Sequence, residues 1–224
     1  GQPLVQIDLT VDMALLDIDL EALPTDGIIA LKSPKATGKT QHFLKPLVDL
    51  SESALLLGHL IGLTRGNSER MGFTYRDEVA SGNGAVVRKD TKEAVTKLST
   101  VVNSILGNTF QPYQFADSII VIDEVSQFLR ALLSSSTIRK RGAVISRLRA
   151  ILRSARQILI ADADLDNITL SYIKRLSGKE AYVIVNQHTP AGFKVTSYES
   201  TSSDDIIERA LDALPASVLE GKTL

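Results

Sequence analysis

The tripeptide Gly38-Lys39-Thr40 closes a short polar segment, SPKATGKT, which follows the apolar run GIIALK at residues 27–32. A tight turn between a strand and a helix can aim consecutive backbone N–H groups at an anion, and a triphosphate fits such a cradle. In that setting Ser33, Pro34, Lys35, Ala36, Thr37 and Gly38 line the loop, Lys39 neutralises the β- and γ-phosphates, and the Thr40 hydroxyl joins a Mg2+ shell. Two positions depart from the usual pattern. Ser33 stands where the opening glycine is common, and Ala36 occupies a second frequent glycine position, although alanine tolerates φ > 0 poorly. A chance GKT in a loop would spell the same three letters, so the reading needs a second site.

That second site lies 83 residues beyond Thr40, where the apolar run SIIVI leads into Asp123-Glu124. A buried strand ending in two acids complements a phosphate loop: Asp123 can order Mg2+ through water, and Glu124 can accept the proton of an attacking water. An acidic N-cap pair opening the helix from residue 125 would explain the same letters. A third apolar run, QILIA, ends in Asp162-Ala163-Asp164. Strand tips of a parallel sheet share one edge, so Asp162 and Asp164 are expected to lie beside the phosphate loop as an element that couples nucleotide to nucleic acid. N-capping of a helix from residue 167 is the alternative. A calcium loop is excluded, because Asn167 stands where that loop needs glycine and Ile173 where it needs glutamate.

Between residues 125 and 161 there are eight Arg or Lys residues and no acid, a local positive field in a chain whose net charge is −1. Arg149, Arg153 and Arg156 fall within a ~60° arc of a helix and form a candidate contact surface for nucleic-acid backbone. A solvated helix face balanced by acids elsewhere is the competing account. With no Trp, six Phe and five Tyr, the chain carries no base-stacking pattern. The absence of cysteine excludes disulfides, thiolate metal sites and a cysteine nucleophile, and three scattered histidines (42, 59 and 188) make no zinc site.

These residues must be positioned by a framework, and hydrophobic content of 44% with 23% charged residues is that of an ordinary globular chain. Runs of strand length occur at residues 27–32, 54–58, 118–122, 157–161 and 182–186, with weaker ones at 72–75 and 96–101. They are continuously apolar rather than alternating, as expected of strands covered on both faces. Helical patterns fill 39–50, 60–71, 102–106, 125–134, 139–156, 167–176 and 203–214. Alternation of the two predicts an α/β fold, a mostly parallel central sheet with helices on both faces. The segment SGNGAVVRKD at 81–90 reads as a surface loop. Residues 1–25, with five acids and no base, read as an edge strand plus a short helix. The chain opens on Gly1 and stops at "LEGKTL", which reads as a fragment. No run of 18 or more apolar residues occurs, and a cytoplasmic address without membrane contact is expected.

Taken in order, SPKATGKT, ALLLGHLIGLTRGNSERMG, SIIVIDEVSQFL and ILIADADL resemble the first RecA-like domain of superfamily 2 helicases. The likeness is greatest to the origin-binding type of phage, herpesvirus and cyanobacterial plasmid replication proteins, and it spans roughly residues 25 to 190. The resemblance implies a P-loop domain over 26–200, with 201–224 a linker helix leading to a second RecA-like domain. It implies ATP and Mg2+ as cofactors, with residues 33–40 as motif I, 123–125 as motif II and 161–164 as motif III. Residues 59–70 then match the strand-contacting motif Ia, which makes His59 and Arg65 contacts to DNA. The second domain would supply arginine fingers, and a primase or origin-binding module would be a further partner. Ala36 and Ser126, where some relatives carry glycine and histidine, depart from the family pattern. Against this stand a small-molecule P-loop kinase and a degenerate scaffold that binds only protein or DNA.

Overall fold

The computed structural model describes residues 2–82 and 85–189. Its centre is an eight-stranded sheet, every neighbouring pair of which is parallel. In chain order the strands are β1 (Leu9–Val11), β2 (Gly27–Lys32), β3 (Ala54–Gly58), β4 (Thr74–Tyr75), β7 (Lys97–Val101), β8 (Ile119–Asp123), β9 (Gln157–Asp162) and β10 (Ala181–Asn186), with a separate hairpin of β5 (Val79–Gly82) and β6 (Ala85–Arg88). Across the sheet the order is β1-β10-β2-β9-β8-β3-β7-β4. The helices are α1 (Lys45–Asp49), α2 (Ile61–Met71), α3 (Val125–Ser134), α4 (Arg141–Ser154) and α5 (Asn167–Ser177). This is the α/β arrangement expected from the sequence, a parallel central sheet with helices on both faces, and β2 lies inside the sheet.

The unbroken apolar runs are explained by two cores, one on each face. Ile28, Ala30, Ile120, Ile122, Ile158 and Ile160 point to one face, where Phe128, Leu132, Val144, Leu148, Ile151 and Ile173 from α3, α4 and α5 cover them. The intervening Ile29, Leu31, Ile119, Val121, Leu159 and Ala161 point to the other, against Phe43, Leu44, Leu47 and Val48. Period two therefore yields apolar residues at every position, because each face of the strand is buried. Each fully buried Leu or Ile contributes about 1.5–3 kcal/mol by leaving water.

Several expectations are revised. The pattern at 39–50 is not one α-helix: residues Lys39–Leu44 form a wide π-helical turn before α1. Pro46 at the start of α1 has no N–H to give the preceding turn, and its ring crowds the carbonyl four residues back. The 102–106 stretch shortens to a 3-10 turn at Val102–Ser104. The segment 81–90 is not simply a loop. Its residues supply strands of the antiparallel hairpin, where Val79 and Val86 are buried in the core. The letters SGNG dominated the sequence reading, while the apolar Val79 and Val86 decide the structure. Near the start of the chain, β1 lies at the sheet edge beside β10, and Leu20–Ala22 makes a 3-10 turn. The expected helix at 203–214 and linker at 201–224 lie outside the described residues, and the expected 26–200 domain is described to residue 189. Among the described residues no helix is long and apolar enough to cross a membrane.

Gly58, at the tip of β3, fixes the seat of α2. A Cβ there would lie 1.9 Å from the Thr64 hydroxyl oxygen. That hydroxyl donates to Leu60 O at 2.7 Å, and one turn later the Ser68 hydroxyl sits 2.6 Å from that of Ser99 on β7. Gly58→Ala is expected to displace α2 and cost about 1–3 kcal/mol, as overpacking does. A urea melt with an unchanged midpoint would contradict this seating.

Candidate functional site

All the strand tips of interest lie on one rim because β2, β9 and β8 run parallel and adjacent. On leaving β2 the chain forms the loop from Ser33 to Gly38. Ser33 is fully buried and builds the loop. Asn186 Nδ2 donates to Ser33 Oγ at 3.0 Å, Ser33 Oγ lies 2.7 Å from Thr37 Oγ1, and Thr37 Oγ1 donates to Pro34 O at 2.9 Å. The Asn186 amide also grips the N-terminal segment through Met13 N at 2.9 Å and Met13 O at 2.8 Å, while Leu16 N donates to Thr37 O at 2.9 Å. A hydroxyl at the opening position thus replaces the glycine with a side-chain relay.

Ala36 adopts φ 63° and Gly38 φ 77°. Only glycine fits at 38, since a Cβ would lie 2.6 Å from the His42 ring and 2.9 Å from Leu15 Cδ1. Lys39 is buried, and its Nζ donates to Ser33 O and Pro34 O, each at 3.1 Å, folding the ammonium back across the loop.

Asp123 faces this ammonium from the tip of β8. Its Oδ2 accepts from Thr40 Oγ1 and from Asn67 Nδ2, each at 3.3 Å, and its Oδ1 accepts from Glu124 N at 3.1 Å. Burial pushes the Asp123 carboxyl above the usual range, and the nearby Lys39 charge opposes that. Glu124 sits in the left-handed region at φ 53°, ψ 52°, a strained conformation for a residue with a side chain. Its carboxyl is raised by burial first and then by the negative charges of Asp162 and Asp123. Lys35, Ala36, Gly38, Lys39, Thr40, Asp123 and Glu124 line one cleft of about 460 Å³.

Asp162 is buried at the tip of β9, and its carboxylate accepts from Ser126 N at 2.7 Å and from Asp164 N at 2.8 Å. It caps the first turn of α3, which has no side-chain cap of its own. Asp164 is exposed beside Arg130 and His59 in a neighbouring hollow of about 360 Å³. Capping of α5 falls to Asp166, which accepts from Thr169 N at 2.8 Å.

The basic residues do not converge on the cleft as a set. His59 lines both the cleft and the neighbouring hollow; burial lowers its pKa, opposed by a hydrogen bond with Gln127. Arg65 pairs with Asp77 at 2.6 Å and stacks over Tyr75 at 4.9 Å from the ring centroid. Arg149 is exposed on α4, whereas Arg153 donates to Leu176 O at 3.3 Å. Arg156 precedes β9 at the opposite end of the strands, bonded to Thr25 O and 3.6 Å from Asp117. The helix expected over 139–156 spans only Arg141–Ser154, since the chain must turn extended at Ala155 to enter β9, so Arg156 falls outside it and the expected common arc is not formed. Asn67, Gln127, Arg70 and Asn186 are the site residues that sequence reasoning missed; Asn186 alone carried a signal, as the polar end of an apolar strand.

No protein family model matches the chain. It is 32% identical over 203 residues to an uncharacterized protein of Picosynechococcus sp., covering 83% of this chain and 19% of that one. It is 22% identical over 209 residues to a candidate replication origin binding protein of Escherichia phage T5, covering 92% of this chain and 22% of that one. The chain therefore spans about a fifth of the length of these relatives. Among solved structures it is similar to a DEAD box protein from Methanococcus jannaschii (TM-score 0.48, 15% identity, 72% of this chain and 46% of that one). It is also similar to the UvsW helicase of bacteriophage T4 (TM-score 0.44, 14% identity, 72% and 54%).

The left-handed Ala36 gives a direct test of the loop. An L-residue pays about 1–2 kcal/mol there, whereas glycine pays only its greater freedom in the unfolded chain. Ala36→Gly is expected to raise stability by about 0.5 kcal/mol, in contrast to the loss of about 1 kcal/mol that Ala-to-Gly causes inside a helix. Chemical denaturation showing such a loss would mean that the loop has another conformation.

Proposed function

We propose that this chain is the ATP-binding domain of a DNA helicase or translocase acting in replication, paired with a second RecA-like domain in a longer protein. The observation that carries this reading is the meeting of Lys39, Thr40, Asp123 and Glu124 in one cleft at the strand tips. The name of the phage relative supports a replication role, and that relative's greater length is consistent with further domains such as an origin-binding or primase module.

The donor set suits Mg2+. It offers a hydroxyl and a carboxylate 3.3 Å apart, and among the described residues no group of three or more His, Asp or Glu forms a protein-only cage. Magnesium favours one or two carboxylates completed by phosphate oxygens and water. Thr40 and Asp123 would hold the ion, which when bound would offset charge on the phosphates. The loop N–H groups and Lys39 would bind the β- and γ-phosphates once the ammonium leaves Ser33 O and Pro34 O. Glu124 would take the proton of a water whose oxygen attacks the γ-phosphorus, as the bond to the β–γ bridging oxygen breaks and ADP leaves. Its raised carboxyl makes it a better proton acceptor than a free glutamate. Arginine fingers would come from the second domain.

DNA backbone would run over the rim near His59 and Arg65, with Arg149, Arg153 and Arg156 as a separate basic face. Asp162 and Asp164 would couple the two sites, Asp162 through the start of α3 and Asp164 from the hollow it shares with His59. The left-handed Ala36 supports a loop that tolerates alanine, which weighs against a degenerate scaffold. A regular α4 carrying the arginines weighs against the mobile lid of a small-molecule kinase.

Calorimetric titration of the chain with Mg-ATP is expected to give measurable binding that Lys39→Ala weakens at least tenfold, about 1.4 kcal/mol. In the full-length protein single-stranded DNA should stimulate ATP hydrolysis. Equal affinity in wild type and Lys39→Ala, with no DNA stimulation, would overturn the proposal.

A further inference from the structure

We propose that Asn67 is a positioning residue that orients the Asp123 carboxylate to receive Mg2+, an inference that rests on the nucleotide-site reading above. Asn67 comes from α2, an element that contributes nothing to the phosphate loop or to the acidic strand tip. Its Nδ2 donates to Asp123 Oδ2 at 3.3 Å, and its side chain lines the same cleft as Lys39 and Thr40.

The helix that carries it is fixed on both sides. Gly58 leaves room for Thr64, whose hydroxyl closes on Leu60 O at 2.7 Å, and the buried Ser68 hydroxyl bonds Thr64 O at 2.5 Å and Ser99 Oγ at 2.6 Å. Asn67 lies between these two anchors in sequence, so its amide has little freedom to move away from Asp123. A half-buried amide on a fixed helix is a pre-set donor, and its ordering is complete before a ligand arrives.

Counting acceptor sites shows what that donor accomplishes. A carboxylate has about four lone-pair directions. Glu124 N takes one on Oδ1, while Thr40 and Asn67 take two on Oδ2, leaving one for a metal ion or its water. Thr40 approaches from the phosphate-loop side and Asn67 from α2, so the carboxylate plane is set by two separate elements. Removing Asn67 leaves Oδ2 held by the Thr40 hydroxyl alone, a group that must itself serve the cation. Hydrogen bonds to ligating groups of this kind typically change metal affinity 10–100-fold.

The test titrates Mg2+ against binding of a fluorescent ATP analogue to the whole chain, comparing wild type with Asn67→Leu, which keeps volume and removes the donor. Asn67→Ala is the second variant, with circular dichroism melts confirming that each is folded. The half-saturating Mg2+ concentration is expected to rise about tenfold or more in both, while analogue affinity in EDTA stays at the wild-type value. A purely packing role would instead lower the melting temperature and leave the Mg2+ requirement unmoved, and that result overturns the inference while the nucleotide site stands. Failure of the wild-type protein to bind the analogue would overturn the site reading itself, and this inference with it.

Discussion

Three elements that lie far apart in the chain meet at Asp162. Its backbone carbonyl accepts from Ser33 N at 3.1 Å, and its carboxylate accepts from Ser126 N at 2.7 Å and Asp164 N at 2.8 Å. Strand β9 lies between β2 and β8, so its last residue can hold both the loop that follows β2 and the start of α3. Without that staple, backbone donors in the interior would lack acceptors, at a cost of about 1–3 kcal/mol each. The distance between Lys39 and Asp123, and hence the chemistry of the cleft, follows from this constraint.

The same geometry explains why the site is electrostatically tense. Asp123, Glu124 and Asp162 crowd one rim, and burial together with mutual repulsion raises the carboxyls of Asp123 and Glu124. The folded-back Lys39 ammonium is the countercharge, held on two carbonyls that are weaker partners than phosphate oxygens would be. The strained backbone at Ala36 and Glu124 brackets this cluster. Strain and unbalanced charge concentrated in one cleft are features of a binding site rather than of a packing core.

Much of this framework was legible in the chain. Continuous apolar runs at residues 27–32, 54–58 and 157–161 became strands because both faces of the sheet are covered, and the polar residues that end them mark the rim. The loop from Ser33 to Thr40 and the pair Asp123-Glu124 stood out because each follows directly on an apolar strand, so local sequence alone places them at the rim. Other parts were hidden for physical reasons. Asn67 and Gln127 reach the cleft through tertiary packing of helices, which leaves no trace in local sequence. The letters SGNG masked a hairpin in which Val79 and Val86 are buried in the core. The arc of Arg149, Arg153 and Arg156 assumed a helix running to residue 156, but α4 ends at Ser154 and leaves Arg156 outside it, because local periodicity does not show where a helix gives way to the next strand.

In the proposed reading the buried Lys39 ammonium and the half-buried Asp123 carboxylate together receive a magnesium triphosphate. A crystal structure of the chain with Mg2+ and a non-hydrolysable ATP analogue tests it most directly. The account expects Lys39 Nζ to leave Ser33 O and Pro34 O for the phosphates, with the ion between Thr40 and Asp123. An analogue bound elsewhere, with Lys39 still on its two carbonyls at saturating ligand, would contradict it.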